Sequence, residues 1–274
     1  MGFSMAADAE MALRLGIFLA VFSALALWEW AAPARAARLS RALRWRANLG
    51  LAVLNTALLR IALPGSALAF AALAAEEDWG LLNRYAVPEW IAIPLGIVLL
   101  DLVVYFQHVL FHSVPALARL HSVHHADPDF DLTTGIRFHP LEIAISTGVK
   151  FAAIAALGAP VLAVLAFEVL LNSTSMFNHA NVSLPPWLEP WVRGFLVTPD
   201  MHRTHHSVVE SERNSNYGFC LSIWDRLLGT YTPAPHGELD IGLAEWRDPD
   251  RVATLRGTLE LPFLRNAERI FEFK

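Results

Sequence analysis

The 274-residue chain is short of two things that most metal or redox proteins of its size possess, sulfur ligands and charge. Its single cysteine, Cys220, excludes an intrachain disulfide framework and any thiolate metal cluster. Only 17% of residues are charged, against about 25% in an ordinary soluble domain, and 55% are hydrophobic. The net charge of -5 supplies no basic field, so nucleic acid is not expected as a partner. No haem attachment motif, flavin fingerprint or HExxH zinc motif occurs. Redox chemistry in this chain would therefore need electrons from a separate protein.

What is present in quantity is apolar sequence. Met11 to Trp30 is long enough to cross roughly 30 Å of hydrocarbon. A signal peptide would place basic residues ahead of that run, whereas here Asp8 and Glu10 precede it and the arginines follow, so it is expected to be a retained span. A second apolar segment covers Leu49 to Ala75, interrupted by Arg60, Pro64 and Gly65. A third covers Ile91 to Leu110 and holds one charge, Asp101. The region Ile143 to Phe177 exceeds one span and breaks at Gly158 to Pro160, which predicts a hairpin that enters and leaves by one side.

Loop charges orient these segments, because short loops rich in Lys and Arg stay cytoplasmic. Residues 31–48 carry Arg35, Arg38, Arg41, Arg44 and Arg46 with no acid, while 76–90 carry Glu76, Glu77, Asp78 and Glu89 against Arg84. The first loop is thus expected on the cytoplasmic face. The expected fold is an all-α integral membrane protein of about four membrane-embedded units, three spans plus a hairpin, with a cytoplasmic histidine-rich helical cap. The whole chain, 1–274, is read as one membrane domain with a catalytic region at 91–231.

Eight of the eleven histidines fall in three clusters that this topology places on one face: His108 and His112; His121, His124 and His125; His202, His205 and His206. On a helix, spacings of three and four project side chains from one side, so each cluster can offer its imidazoles to one small volume. Imidazole ligates iron, copper, nickel or zinc, and the lack of thiolates argues against a finger-type zinc site. Eight nitrogens exceed what one ion takes. Two six-coordinate ions could use them and keep positions open, which favours a dinuclear centre.

The order HxxxH, HxxHH, HxxHH, with spans between the second and third boxes, resembles the fatty acid hydroxylase and sterol desaturase superfamily of membrane di-iron oxygenases. The segments TPDMHRTHHS (Thr198 to Ser207) and NYGFCLSIWDRLLGTY (Asn216 to Tyr231) are similar to that family's closing region. The resemblance implies two iron ions that use O2 to hydroxylate or desaturate a C–H bond of a lipid, such as a fatty acyl, sterol or isoprenoid chain. It also implies an external electron donor, a cytochrome b5-like or ferredoxin-like carrier or a reductase. The expected setting is a bacterial inner membrane or the endoplasmic reticulum.

The eight box histidines would be ligands, joined by His179, which shares a helical stripe with Asn172 and Glu168. Asp101, two turns before His108, could orient a ligand imidazole, pair with an arginine or cap a polar cavity. His139 and Asn216 are candidate supporting residues outside the ligand set, each with a plain loop or turn role as its alternative. Asp225 and Arg226 are expected to fix the tail, and His236 to be solvated. A histidine-rich zinc-dependent membrane enzyme and a metal transporter remain as rival readings.

Overall fold

A computed structural model describes residues 2–63 and 65–264. Among them no β-strand forms, and the chain is helical throughout. The long helices are α1 (Gly2–Ala31), α2 (Arg41–Ala62), α3 (Ala67–Glu76), a single turn α4 (Leu81–Arg84), and α5 (Glu89–Ser113). There follow α6 (Pro115–His125), the hairpin α7 (Pro140–Leu157) and α8 (Val161–Asn178), and the short helices α9 (Glu189–Arg193), α10 (Pro199–His205), α11 (Glu210–Arg213), α12 (Ile223–Leu227), α13 (Pro249–Val252) and α14 (Leu255–Glu260).

Five stretches are long and apolar enough to cross a membrane: Ala9–Ala31, Arg41–Arg84, Glu89–Ser113, Pro140–Leu157 and Val161–Asn178. Their outward faces are apolar, with Leu27, Val53 and Ile61 exposed, as a multi-pass membrane protein requires. The second stretch is not one helix: α2 stops at Ala62, α3 starts afresh after Ser66 caps it by accepting from Ala69 N–H, and the single turn α4 ends it. The expected interruption at Pro64 lies outside the described residues.

The hairpin turns where glycine and proline predict. Gly158 sits at φ +67, ends α7 in the left-handed conformation, and Pro160 precedes α8. A side chain at Gly158 would collide with the Trp79 carbonyl, so the α7–α8 turn and the loop before α4 meet backbone to backbone. Each hairpin helix has 18 residues, about 27 Å at 1.5 Å per residue. Leu68, Ala71, Leu100, Ile154, Val164 and Phe167 fill the space between α3, α5, α7 and α8.

Polar residues gather at one end of this bundle. Glu29, near the end of α1, accepts from Leu132 N–H at 2.7 Å and Asn181 N–H at 2.8 Å. Arg44, on the first turns of α2, is buried against the loop between α6 and α7, donating to Asp127 at 2.6 and 2.7 Å and to Asp131 at 2.6 Å. Burial alone would raise the Asp127 carboxyl, but Arg44 outweighs it and holds it below the usual range. Arg137 spends three donors on the Val123 carbonyl, Asn48 and the Val252 carbonyl, binding α6, α2 and α13 together. One of the five loop arginines is therefore a buried structural cation, which leaves Arg35, Arg38, Arg41 and Arg46 at that end.

Candidate metal centre

Nine histidines converge inside this polar end. His108 and His112 come from the last turns of α5, His121, His124 and His125 from α6, His179 from the cap of α8, and His202, His205 and His206 from α10 and its cap. Pro115 at the first position of α6 and Pro199 at that of α10 start each short helix where the box needs it, and Thr198 caps α10 by accepting from Met201 N–H. All nine rings are buried.

They form two groups: His108, His112, His121, His125 and His205 in one, and His124, His179, His202 and His206 in the other, each with its donor nitrogens within 4.8 Å of one another. This division departs from the expectation that each box serves one volume. Neighbouring residues 124 and 125, and 205 and 206, go to different groups, because successive side chains on a helix point about 100° apart.

The proton positions follow from the partners. His179 Nδ1 lies 2.7 Å from the Ser175 carbonyl and His124 Nδ1 lies 3.3 Å from the Arg137 carbonyl. A carbonyl only accepts, so these nitrogens carry the hydrogens. Burial pushes His121 and His179 down to about 3, which keeps both rings neutral at ordinary pH. The Nε2 atoms of His124 and His179 consequently hold bare lone pairs, yet they face each other at 3.1 Å, and His202 Nε2 is 3.0 Å from His179 Nε2. Lone pairs so placed repel unless a cation sits among them.

The five-histidine group is built the same way. His108 Nδ1 donates to the Tyr217 carbonyl at 2.8 Å, His205 Nδ1 to the Ser215 carbonyl at 2.6 Å, and His121 Nδ1 to Glu142 Oε1 at 2.6 Å. The Nε2 atoms of all three are buried with no protein partner. Neutral imidazoles with outward Nδ1–H bonds and inward lone pairs are the donor set a transition-metal ion takes. Phe130 packs on His179 and His206, Phe138 on His124, and Phe219 touches His108 and His202, so both groups are walled by aromatic rings.

The carboxylate that orients a histidine is Glu142, in the first turn of α7. Asp101, left open in the sequence between orienting an imidazole, pairing with an arginine and capping a polar cavity, takes other partners. Its oxygens accept from Cys220 N–H at 3.2 Å, Leu221 N–H at 3.1 Å and the Trp224 indole at 2.8 Å. It therefore holds the tail, not a ring. Glu142 was missed because its partner lies across a 21-residue separation, although a glutamate in the first turn after His139-Pro140 is a visible signal.

His139 lies outside both groups and caps α7, its Nδ1 accepting from Leu141 N–H at 3.2 Å. The Asn216 side chain bonds to backbone. At φ +54 it donates to the Met201 and Thr232 carbonyls and so sets the turn whose flanking residues, Ser215 and Tyr217, supply the carbonyls just described. Asp225 accepts from Tyr217 N–H, Gly218 N–H and the Thr230 hydroxyl, while burial pushes its carboxyl up to about 6. Glu168 and Asn172 do not follow His179 into the centre. Glu168 pairs with Arg14 and Lys150, and Asn172 donates to the Glu168 carbonyl. His236 is exposed in its loop.

The fold and the buried imidazoles define a class, a multi-pass helical membrane protein with a histidine-rich centre able to bind metal. Residues 93–230 match the fatty acid hydroxylase family, and the chain belongs to it. Among curated proteins it is 32% identical to the ornithine lipid hydroxylase OlsE of Rhizobium tropici over 150 residues, 54% of this chain and 44% of that one. It is 30% identical to the alkylglycerol monooxygenase of Xenopus tropicalis over 133 residues, 47% and 28% of the two chains, and 30% identical to the cholesterol 25-hydroxylase of Rattus norvegicus over 146 residues, 52% and 47%. The chain thus spans less than half the length of these relatives. No solved structure matches it.

Proposed function

We propose that this chain is a membrane-bound di-iron oxidoreductase that uses O2 to hydroxylate, or desaturate, a C–H bond of a lipid. The observation that carries the reading is the convergence of nine buried histidines into two groups whose ring nitrogens lie within 4.8 Å of one another. The named relatives, an ornithine lipid hydroxylase, an alkylglycerol monooxygenase and a cholesterol 25-hydroxylase, support a lipid substrate taken from the bilayer. All nine histidines are the proposed ligands, and residues 91–231 the proposed catalytic region within a single domain spanning 1–274.

His108, His112, His121, His125 and His205 would hold one ion and His124, His179, His202 and His206 the other. When bound, the iron pair supplies an oxidant for an unactivated methylene, chemistry that no side chain performs. The chain's own part is to fix the tautomer and aim of its imidazoles through Glu142 and the carbonyls of Arg137, Ser175, Ser215 and Tyr217, while burial keeps the rings neutral. Phe130, Phe138, Tyr217 and Phe219 exclude water from around the donors. Electrons come from a separate carrier, cytochrome b5-like or ferredoxin-like. The arginines left in residues 31–48 lie at the histidine end, which supports a cytoplasmic centre.

The test compares wild type with His205→Ala after purification from iron-supplemented cells. Two irons per wild-type chain and a reduced content in the variant, together with O2-dependent oxygen insertion into extracted membrane lipids, are the expected result. Equal metal in both proteins would overturn the ligand assignment, and bound zinc without lipid oxidation would overturn the reaction.

A further inference from the structure

Outside the metal centre, the largest unexplained feature is an apolar ledge built from residues 185–196 and α12. The chain from Pro185 onward winds in successive helical turns, with Leu188 N–H bonded to the Pro185 carbonyl, Trp191 N–H to that of Leu188 and Phe195 N–H to that of Val192. Trp187, Trp191 and Phe195 recur every four residues and so share one side of this winding. They are 72%, 74% and 73% exposed. On α12, Ile223 and Leu227 repeat the same spacing and Leu228 follows, all three exposed. The two strips are joined, since Ser222 N–H donates to the Phe195 carbonyl at 3.1 Å, Ser222 Oγ to the Arg193 carbonyl at 2.6 Å, and Val197 N–H to the Cys220 carbonyl at 3.0 Å.

A soluble cap would not show water a surface of this kind. Its depth says what it meets instead. Asp101, which accepts from Leu221 N–H and the Trp224 indole, lies seven residues before His108 on α5, about 10 Å further into the bundle at 1.5 Å per residue. Asp101 belongs to the candidate span Glu89–Ser113. The first turn of α12 is therefore level with a residue inside a span, and the ledge continues the lipid-facing surface of the helices, where Leu27 and Ile61 are displayed to the same degree.

The polar residues of the ledge suit an interface. Glu189 is neutralised by Arg193 and also accepts from Thr198, while Arg226, exposed, lies 4.3 Å over the Tyr231 ring. Tryptophans with flanking arginines are the composition that settles at the headgroup level of a bilayer.

We propose that this ledge, residues 185–196 with α12, is embedded in the interfacial layer of the membrane on the histidine side, with lipid as its partner. The inference concerns placement alone and does not depend on which ion the histidines hold. The short helices after α8 are then not a cap clear of the bilayer; part of that region rests within it, beside the tail whose Tyr217 and Ser215 carbonyls accept from His108 and His205.

Single cysteines at Phe195→Cys and Leu227→Cys, in the full chain reconstituted into phosphatidylcholine nanodiscs, carry a polarity-sensitive fluorophore; Cys220 is buried against Thr174 and stays unlabelled. Ile61→Cys serves as the lipid-facing reference and Glu238→Cys as the exposed loop reference. The expected result is a loss of emission at 195 and 227 with spin-labelled lipid, matching position 61, and little loss with aqueous iodide. Iodide quenching at both sites like that at 238 would overturn the proposal. Shelter from both quenchers would overturn it too, and would assign the ledge to a second copy of the chain.

Discussion

Glu142 offers the sharpest check on how the centre is held. Its Oε1 is 2.6 Å from His121 Nδ1, and both side chains are buried. With a cation held at His121 Nε2 the Glu142 carboxyl would be kept ionised, and Glu142→Gln keeps an oxygen of similar reach but removes that charge. A buried hydrogen bond to a charged group contributes about 1.5–3 kcal/mol and a neutral one about 0.5–1.5, so the exchange costs about 1–2 kcal/mol. At 1.4 kcal/mol per tenfold, that is roughly a 5- to 30-fold weaker hold on the ion of the five-histidine group. Glu142→Ala leaves the Nδ1–H with no acceptor and is expected at the upper end of the 10- to 100-fold range found for such supporting partners, or beyond it. The assay is iron retention against a graded chelator, with total metal read by mass spectrometry. The ion of the five-histidine group should be lost at lower chelator than in wild type, and its neighbour in the His124 group, which shares α6 and α10, should leave with it. Retention indistinguishable from wild type in both variants would refute the role given to the carboxylate.

Arg44→Met should destabilise the protein by about 3–5 kcal/mol, since it strands the buried carboxylates of Asp127 and Asp131; an unchanged unfolding midpoint in detergent would contradict that. Asp101→Ala leaves two backbone N–H groups and the Trp224 indole without an acceptor, at about 1–3 kcal/mol for each donor left dry, whereas Asp101→Asn keeps one oxygen and should lose less. Thermal melts of the two variants in that order are the check. For pH, His121 and His179 are held at about 3 in the folded chain against an ordinary 6.5, so below 6.5 the unfolded state binds protons that the folded state refuses. Stability contributed by these two rings is complete above about 6.5 and falls as pH falls. At pH 5.5 the loss is about 1.4 kcal/mol for each ring, roughly 3 together, and bound metal shifts the balance in the same direction. A melting midpoint that stays flat between pH 7.5 and 5.5 would contradict this.

The ligand candidates were legible because the spacing of each box survives folding: His108 and His112 stay one turn apart on α5, and both HxxHH segments lie on or at the end of short helices. The hairpin was legible too, since a left-handed glycine and a proline are local signals. The partition of the histidines into two groups was not, because it depends on how α6 and α10 face each other. Asp101 shows the limit plainly. Helical geometry sets it on His108's side of α5, but the tail, 119 residues onward in sequence, fills that face and takes the carboxylate for its own N–H groups. In sequence Arg44 reads as one of five loop charges that orient the chain, and only the fold of the Asp127–Asp131 loop around its guanidinium withdraws it from solvent.

The splitting of each HxxHH segment has a thermodynamic consequence. Because α6 and α10 each give imidazoles to both groups, an ion entering one group restrains the same two short helices that the other group needs. The ordering entropy is then met largely once, by the first ion, and the second binds to helices already fixed. Coupling of this kind is reciprocal, so each ion strengthens the hold on its neighbour by the same factor. The centre should fill as a pair and empty as a pair in the intact protein, with half-loaded molecules scarce at intermediate metal concentrations.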